Sequence, residues 1–141
     1  MRRVLALAAL IAVSGAVVAP GAASAETWKK YTEADTGIAW SYDADYAYKD
    51  RSTGRVVVMQ AISKPAASLG PSGPGKPDGV GSIVALDCTA KNMIVMGSYS
   101  PSKPLTMNPT WRSDAAKKAT GADNEALFAA VCPGASKLTS K

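Results

Sequence analysis

Two cysteines, Cys88 and Cys132, place the strongest constraint on what this chain can fold into. The first lies near the end of a segment, 80–89, whose β-branched and aliphatic residues favour a β-strand. The second follows a segment, 123–131, that is rich in helix formers and contains neither Gly nor Pro. In an exported chain an even pair of cysteines predicts one disulfide, so the sequence predicts a strand tied to a C-terminal helix.

The predicted disulfide would contribute strongly to stability because it closes a loop of 44 residues. For that length the chain-entropy model gives about 4 kcal/mol. Small domains are stable by roughly 5–15 kcal/mol in total, so this is a large share. A metal-binding or redox-active pair is the alternative, and two cysteines without histidine and without a C-x-x-C spacing disfavour it.

The spacing of apolar residues predicts which surfaces meet. By i, i+4 spacing, one face of the predicted helix carries Leu127, Phe128, Val131 and Cys132. By alternation, one face of the predicted strand carries Val84, Leu86 and Cys88. We therefore expect an α+β fold with an antiparallel β-sheet of about five to six strands. The C-terminal α-helix should pack on one face of the sheet, tethered by the disulfide.

The first 25 residues are typical of a secretory signal peptide. Arg2 and Arg3 precede an apolar run at 4–19, and a small-x-small cleavage site ends at Ala25. A membrane anchor is the alternative, but the run is short for a span and is interrupted by Ser and Gly. We expect cleavage after Ala25 and no lipid anchor, because no cysteine lies near the site. The product would be a single periplasmic or secreted domain, 26–141.

The overall composition excludes several classes of function. Loss of two arginines with the leader lowers the formal net charge from +5 to +3, which favours an anionic partner without naming one. The basic residues are scattered, so we expect no nucleic-acid binding. The chain has no histidine, which excludes Ser-His-Asp and Cys-His catalysis and the usual zinc sites. We therefore assign no catalytic, cofactor-binding or metal-binding residues and expect no cofactor.

The remaining segments alternate between strand-forming and turn-forming residues. In addition to 80–89, strands are predicted at 27–33, 38–42, 55–64 and 93–100, with a short irregular strand around 46–48. A second Pro-rich stretch occupies 101–109. We expect Trp111 on a short terminal strand, a helical turn within 113–119, and Asp123 as the N-cap of the helix.

A Pro- and Gly-rich connection at 65–79 contains the sequence GPSGPGKP, which fits the first seven places of the phosphate-binding pattern G-x-x-x-x-G-K-[ST]. Pro71 and Pro74 lack the N–H donors that this loop needs, and Pro77 replaces the Ser or Thr that would bind magnesium. A strand, and no helix, is predicted to follow. We therefore expect no nucleotide binding and a long hairpin connection, of a kind that often carries binding.

The acidic and aromatic residues allow weaker alternatives. Asp43, Asp45 and Asp50 invite a calcium interpretation, but their spacing lacks the ligand ladder and central Gly of a calcium loop. The first two could form an acid/base pair, although nothing around them implies a substrate cleft. The three tryptophans and five tyrosines could form a carbohydrate platform, whereas core and sheet-face packing is the usual role in a small β-rich domain.

The order of these features resembles the surface-adhesin protein E-like domain family of bacterial envelope proteins. The resemblance depends on the Tyr42-Asp43 step before a short strand and a Val-rich strand, on a strand ending in Asp87-Cys88, and on a helix ending in Cys132. It covers 27–132. The resemblance implies an antiparallel sheet with a tethered helix, and a binding protein without catalytic activity. The family's namesake is an adhesin for host matrix proteins that carries a lipobox cysteine, which this chain lacks.

We therefore expect an exported, non-catalytic binding domain with a protein partner. The resemblance implies adhesion to host matrix proteins, although no motif for the adhesin's binding residues is matched here. A periplasmic envelope factor or inhibitor that binds a bacterial partner is the alternative. A third hypothesis for the function is an enzyme that uses the carboxylates of Asp43 and Asp45.

Overall fold

The computed structural model describes residues 26–63, 69–71 and 79–141. Within them, the fold is one antiparallel sheet with a C-terminal α-helix, α1 (Ala122–Val131), which confirms the predicted fold class. The strands are β1 (Trp28–Glu33), β2 (Ala39–Asp43), β3 (Tyr48–Lys49), β4 (Val56–Ser63), β5 (Val80–Asp87), β6 (Asn92–Ser100), β7 (Lys103–Met107) and β8 (Lys117–Lys118). The predicted signal peptide and most of the 65–79 connection lie outside the described residues.

The sheet follows the order β1-β2-β4-β5-β6-β7, with β4, β5 and β6 at its centre. The two shortest strands fill its margins: β3 pairs with the Val56 end of β4, and β8 pairs with the Asn92 end of β6. β3 overlaps the short irregular strand predicted around 46–48, and β7 and β8 raise the number of strands from the predicted five to six to eight. β4 and β5 form because they are rich in Val and Ile, and their segments 56–59 and 83–86 are buried on both faces of the sheet.

Each face of the sheet has its own core. The core on the face against α1, here called the helix face, consists of Val56, Val58, Val84, Leu86, Leu127, Phe128 and Val131. The core on the opposite face consists of Val57, Met59, Ile83, Ala85, Ile94, Met96, Tyr99 and Trp111. Alternation along the strands separates the two sets. The predicted meeting of helix and strand is therefore confirmed.

A β-bulge in β6 determines which of its side chains share the helix face. The pairing runs from Ile83 opposite Gly97 to Val84 opposite Val95, so Met96 is the extra residue. Met96 packs in the opposite-face core together with Tyr99. Val95, opposite the helix-face residue Val84, therefore lies on the helix face. Ser98, which pairs with Ser82, lies on the same face.

The predicted disulfide joins Cys88 and Cys132, whose Cα atoms are 5.6 Å apart. Cys88 lies in the turn between β5 and β6, at the closed end of the hairpin. The Asp87 carboxylate holds this turn by accepting hydrogen bonds from the backbone N–H groups of Thr89 and Ala90. The covalent link thus ties the closed end of the central hairpin to the C-terminal end of α1.

The start of α1 differs from the prediction that Asp123 is the N-cap. Gly121 holds that position with φ +99°, and no side chain caps the helix. Glycine suits this position because it adopts a positive φ without a steric penalty. Asp123 and Glu125 lie in the first turn, where their negative charges complement the positive end of the helix dipole. Within the described residues, no helix has the length and apolar character required to cross a bilayer.

The segment between β6 and α1 also departs from the predictions. Trp111 is not on a strand: it begins a short 3₁₀ turn and is buried in the opposite-face core. The expected helical turn at 113–119 is absent, and this segment pairs with the margin of β6 as β8. The Pro-rich stretch contains β7, an edge strand. Its Pro104 is tolerated there because an edge strand leaves one row of backbone groups unpaired.

Candidate binding surface

Asp43 and Asp45, the predicted alternative acid/base pair, are engaged in local hydrogen bonds. The buried carboxylate of Asp43 accepts from the backbone N–H of Thr27 at 3.2 Å and from that of Asp45 at 3.0 Å. Asp45 accepts from the Thr27 hydroxyl at 2.6 Å. These bonds fasten the start of β1 to the turn after β2. The two side chains therefore serve to hold a turn and a strand end together.

Asp50, the third aspartate of the weighed calcium site, is 1% exposed and is bound to protein groups. It accepts from the backbone N–H and the hydroxyl of Thr53 at 2.9 and 2.8 Å, and from Arg112 Nε at 3.1 Å. The hydrogen bonds from Arg112 hold the pKa of Asp50 below its usual value, and those from Thr53 act in the same direction, while burial opposes them. Nowhere in the described part of the chain do three or more His, Cys, Asp or Glu residues form a potential metal site.

Arg112 is the partner that sequence reasoning missed. It is 62 residues from Asp50 in the chain, and its guanidinium also lies over the Trp111 ring at 4.7 Å from the centroid. The pair fastens the 3₁₀ turn to the hairpin between β3 and β4. An isolated arginine carries no sequence signal for such a pairing.

The aromatic residues do not form one platform, because the three tryptophans are divided between the two faces of the sheet. Trp111 is 4% exposed in the opposite-face core, and Trp28 packs against that core, with Gly70 of the predicted long connection close to its ring. Trp40 lies on the helix face, because it pairs with Ile62 and is two residues before Tyr42. Trp40 is half-buried and outside the helix-face core.

α1 covers half of the helix face. The other half, here called the open half-face, is formed by Trp40, Ile62, Val80, Gln60, Ser82, Ser98 and Val95. Strand pairing arranges most of these residues in two rows. One row is apolar and consists of Trp40, Ile62 and Val80. The other row is polar and consists of Gln60, Ser82 and Ser98.

Apolar side chains are exposed on this half-face. Val80 is 45% exposed and Val95 is 56% exposed. Among the described large apolar residues, the other exposed one is Met107, at 38%. Met107 belongs to the opposite face, because it alternates with Leu105, which packs against the opposite-face core. The open half-face therefore concentrates the exposed valines on rigid strands.

The polar row is held in place by its own hydrogen bonds. Tyr31 donates to the Gln60 side-chain oxygen at 3.2 Å, and the Gln60 amide donates to the Ser82 hydroxyl at 2.7 Å. Burial, and secondarily the negative charge of Asp123, raise the pKa of Tyr31, so its hydroxyl remains a donor at neutral pH. The row therefore presents ordered amide and hydroxyl groups between the two exposed valines.

A cavity of about 360 Å³ adjoins the open half-face at Val95. It lies beside the margin of β6, where β7 pairs with one end of the strand and β8 with the other. Its lining includes Met93, Val95, Asp114, Lys117, Lys118 and Asn124. A second depression, of about 340 Å³, shares Lys118 with it and is lined by Phe128 and Lys91. The Lys91 ammonium lies 5.2 Å from the centre of the Phe128 ring.

Comparison of the chain with protein-family models, with curated proteins and with solved structures finds no match. The open half-face is a sheet surface of apolar and amide groups with a lysine-lined cavity at its margin, an arrangement suited to contact with another molecule.

Proposed function

We propose that this protein is an exported protein-binding domain that contacts its partner through the open half-face. The observation that carries the proposal is the exposure of Val80 and Val95 on paired strands of the sheet, on either side of a hydrogen-bonded polar row. Exposed apolar patches rimmed by polar groups are typical of interaction surfaces. Because the strands are already ordered, binding would cost little conformational entropy.

The shape of the surface favours a protein as the ligand. The two rows extend across several neighbouring strands, which lie about 4.8 Å apart, so they form a broad sheet surface. Small-molecule sites are usually concave and enclose most of the ligand. Trp40, half-buried at one corner, resembles the tryptophan anchors that are enriched at the centres of protein interfaces.

The predicted leader and the disulfide favour an oxidising compartment for this activity. The family resemblance makes host matrix proteins the first ligands to test. The alternative, a partner in the bacterial envelope, would use the same surface.

The test is binding of the oxidised, exported protein to a panel of host matrix proteins at physiological salt. The variant Val80→Lys/Val95→Lys places charge on the open half-face, and Met107→Lys is the matched control on the opposite face. We expect saturable binding to a panel member, weakened by at least about tenfold in the double variant and unchanged in the control. Urea unfolding of each variant would show that the fold is retained.

Two outcomes would count against parts of the proposal. Binding that Val80→Lys/Val95→Lys leaves intact would assign the contact to another surface. Absence of binding to every matrix protein would remove matrix adhesion, and purified envelope proteins would then be tested with the same three proteins. Failure of both panels would contradict the binding function itself.

A further inference from the structure

The cavity beside Val95 carries a positive charge that the described residues leave uncompensated. Lys117 and Lys118 line it, and neither forms a salt bridge with a described residue. Asp114, the carboxylate among its described lining residues, accepts a hydrogen bond from the Asn108 amide at 2.7 Å and offsets one of the two lysine charges. The surface thus presents two lysines free to pair with a partner next to an exposed valine.

The neighbouring charged groups leave the same excess of one positive charge. Lys91 and Glu125 line the second depression, on the other side of the shared Lys118, and are one charge of each sign. Asp87 and Asp123 line neither depression. Summed over both depressions, three lysines face two carboxylates.

We infer that the partner presents an acidic, aliphatic segment to this protein. Its apolar side chains cover Val80 and Val95, and its carboxylate enters the cavity beside Lys117 and Lys118. This inference rests on the proposed function and adds the chemistry of the partner. Complementary charge at the margin of an interface steers association and disfavours partners of the wrong sign.

The position of Val95 explains why one segment would carry both apolar and acidic side chains. Its side chain belongs both to the open half-face and to the wall of the cavity. A segment that covers this valine therefore brings its next side chains within reach of the lysines. An inorganic anion or a nucleic acid would use the lysines but would leave Val80 uncovered, whereas a basic segment would bring like charges together.

The experiment is a selection of random twelve-residue peptides, displayed on phage, against the immobilised exported protein at 150 mM salt. We expect enrichment of Asp and Glu together with Val, Ile and Leu. A synthetic peptide of the most enriched sequence should bind Lys117→Glu/Lys118→Glu at least about tenfold more weakly. The control Lys103→Glu/Lys137→Glu changes the net charge equally at exposed positions elsewhere, and it should alter binding less than about twofold.

The variant Val80→Lys/Val95→Lys separates failure of this inference from failure of the proposed function. Enriched peptides that are basic or uncharged, and that still lose binding in this variant, would overturn the acidic partner and retain the binding surface. Enriched peptides that bind the variant normally would overturn both. A selection that enriches no sequence would also overturn the inference.

Discussion

The two halves of the helix face differ in exposure although the same strands supply them. Val58 and Val84, under α1, are fully buried, whereas Val80 and Val95 are about half exposed. Val84 and Val95 lie opposite each other in the pairing of β5 with β6, so α1 covers the β5 residue and leaves its cross-strand neighbour exposed. The helix therefore covers only part of the face. The comparison teaches that the placement of α1, and not residue type, determines which valines form the core.

The two halves are also held in order by different means. The covered half is fixed by the Cys88–Cys132 disulfide and by apolar packing, and the open half by the hydrogen bonds of its polar row. Substitutions in the covered half should therefore act on stability. Substitutions in the open half should act on binding.

Removal of the disulfide should have the largest effect on stability, because it releases the covalent link between α1 and the sheet. We expect Cys88→Ser/Cys132→Ser to lower the free energy of unfolding by about 4 kcal/mol, as the 44-residue loop predicts. Urea unfolding followed by circular dichroism measures the change. Mass spectrometry after thiol alkylation, with and without reductant, would establish that the parent protein is oxidised. A loss below about 1 kcal/mol would mean that packing alone holds the helix.

Two truncations, one in each half of the helix face, should differ in their cost to stability. Leu127→Ala removes a fully buried side chain beneath α1 and should cost about 3 kcal/mol. Val95→Ala removes an exposed side chain from the open half-face and should change stability by less than about 0.5 kcal/mol. Urea midpoints of the two variants give both values under identical conditions. Similar costs for the two truncations would contradict the division of the face.

A smaller effect is expected from Asp50→Asn, which acts outside both halves. Losing the charge weakens the bonds from Thr53 and Arg112 and should cost about 2 kcal/mol at neutral pH. The pKa of Asp50 is lowered in the folded state, so its contribution is present above the unfolded pKa of about 4. That contribution disappears as the pH falls through the lower folded value.

The free energy of unfolding, measured from pH 7 to pH 2, tests whether the contribution of Asp50 is lost in acid. The parent protein should lose more stability than Asp50→Asn below about pH 4, so the two curves should converge in acid. Parallel curves across this range would show that the charge of Asp50 contributes nothing to stability.

Local patterns were sufficient to predict the central architecture. Alternation in 80–89, the spacing of Leu127 and Val131, and the cysteine pair are short-range signals, and each agrees with the structure. The short strands at the margins of the sheet could not be predicted from local patterns. Lys117 and Lys118 lie among good helix formers, yet pairing with β6 makes them a strand, because tertiary contacts override weak propensities.

The candidate site could not be predicted from the sequence, because it also depends on tertiary contacts. The open half-face brings together side chains from β2, β4, β5 and β6, and its membership depends on strand register and on the bulge at Met96. Neither the register nor the reach of α1 is encoded in any one segment. The ion pair between Asp50 and Arg112 was missed because it joins residues 62 apart in the chain.

The most direct test is the solvent exposure of four valine methyl groups in the whole protein. Methyl NMR spectra recorded with a paramagnetic agent dissolved in the solvent would compare Val80 and Val95 with Val58 and Val84. The account predicts strong broadening of the first pair and protection of the second. Equal protection of all four valines would show that the open half-face is covered in the whole protein, and it would contradict the proposed binding surface.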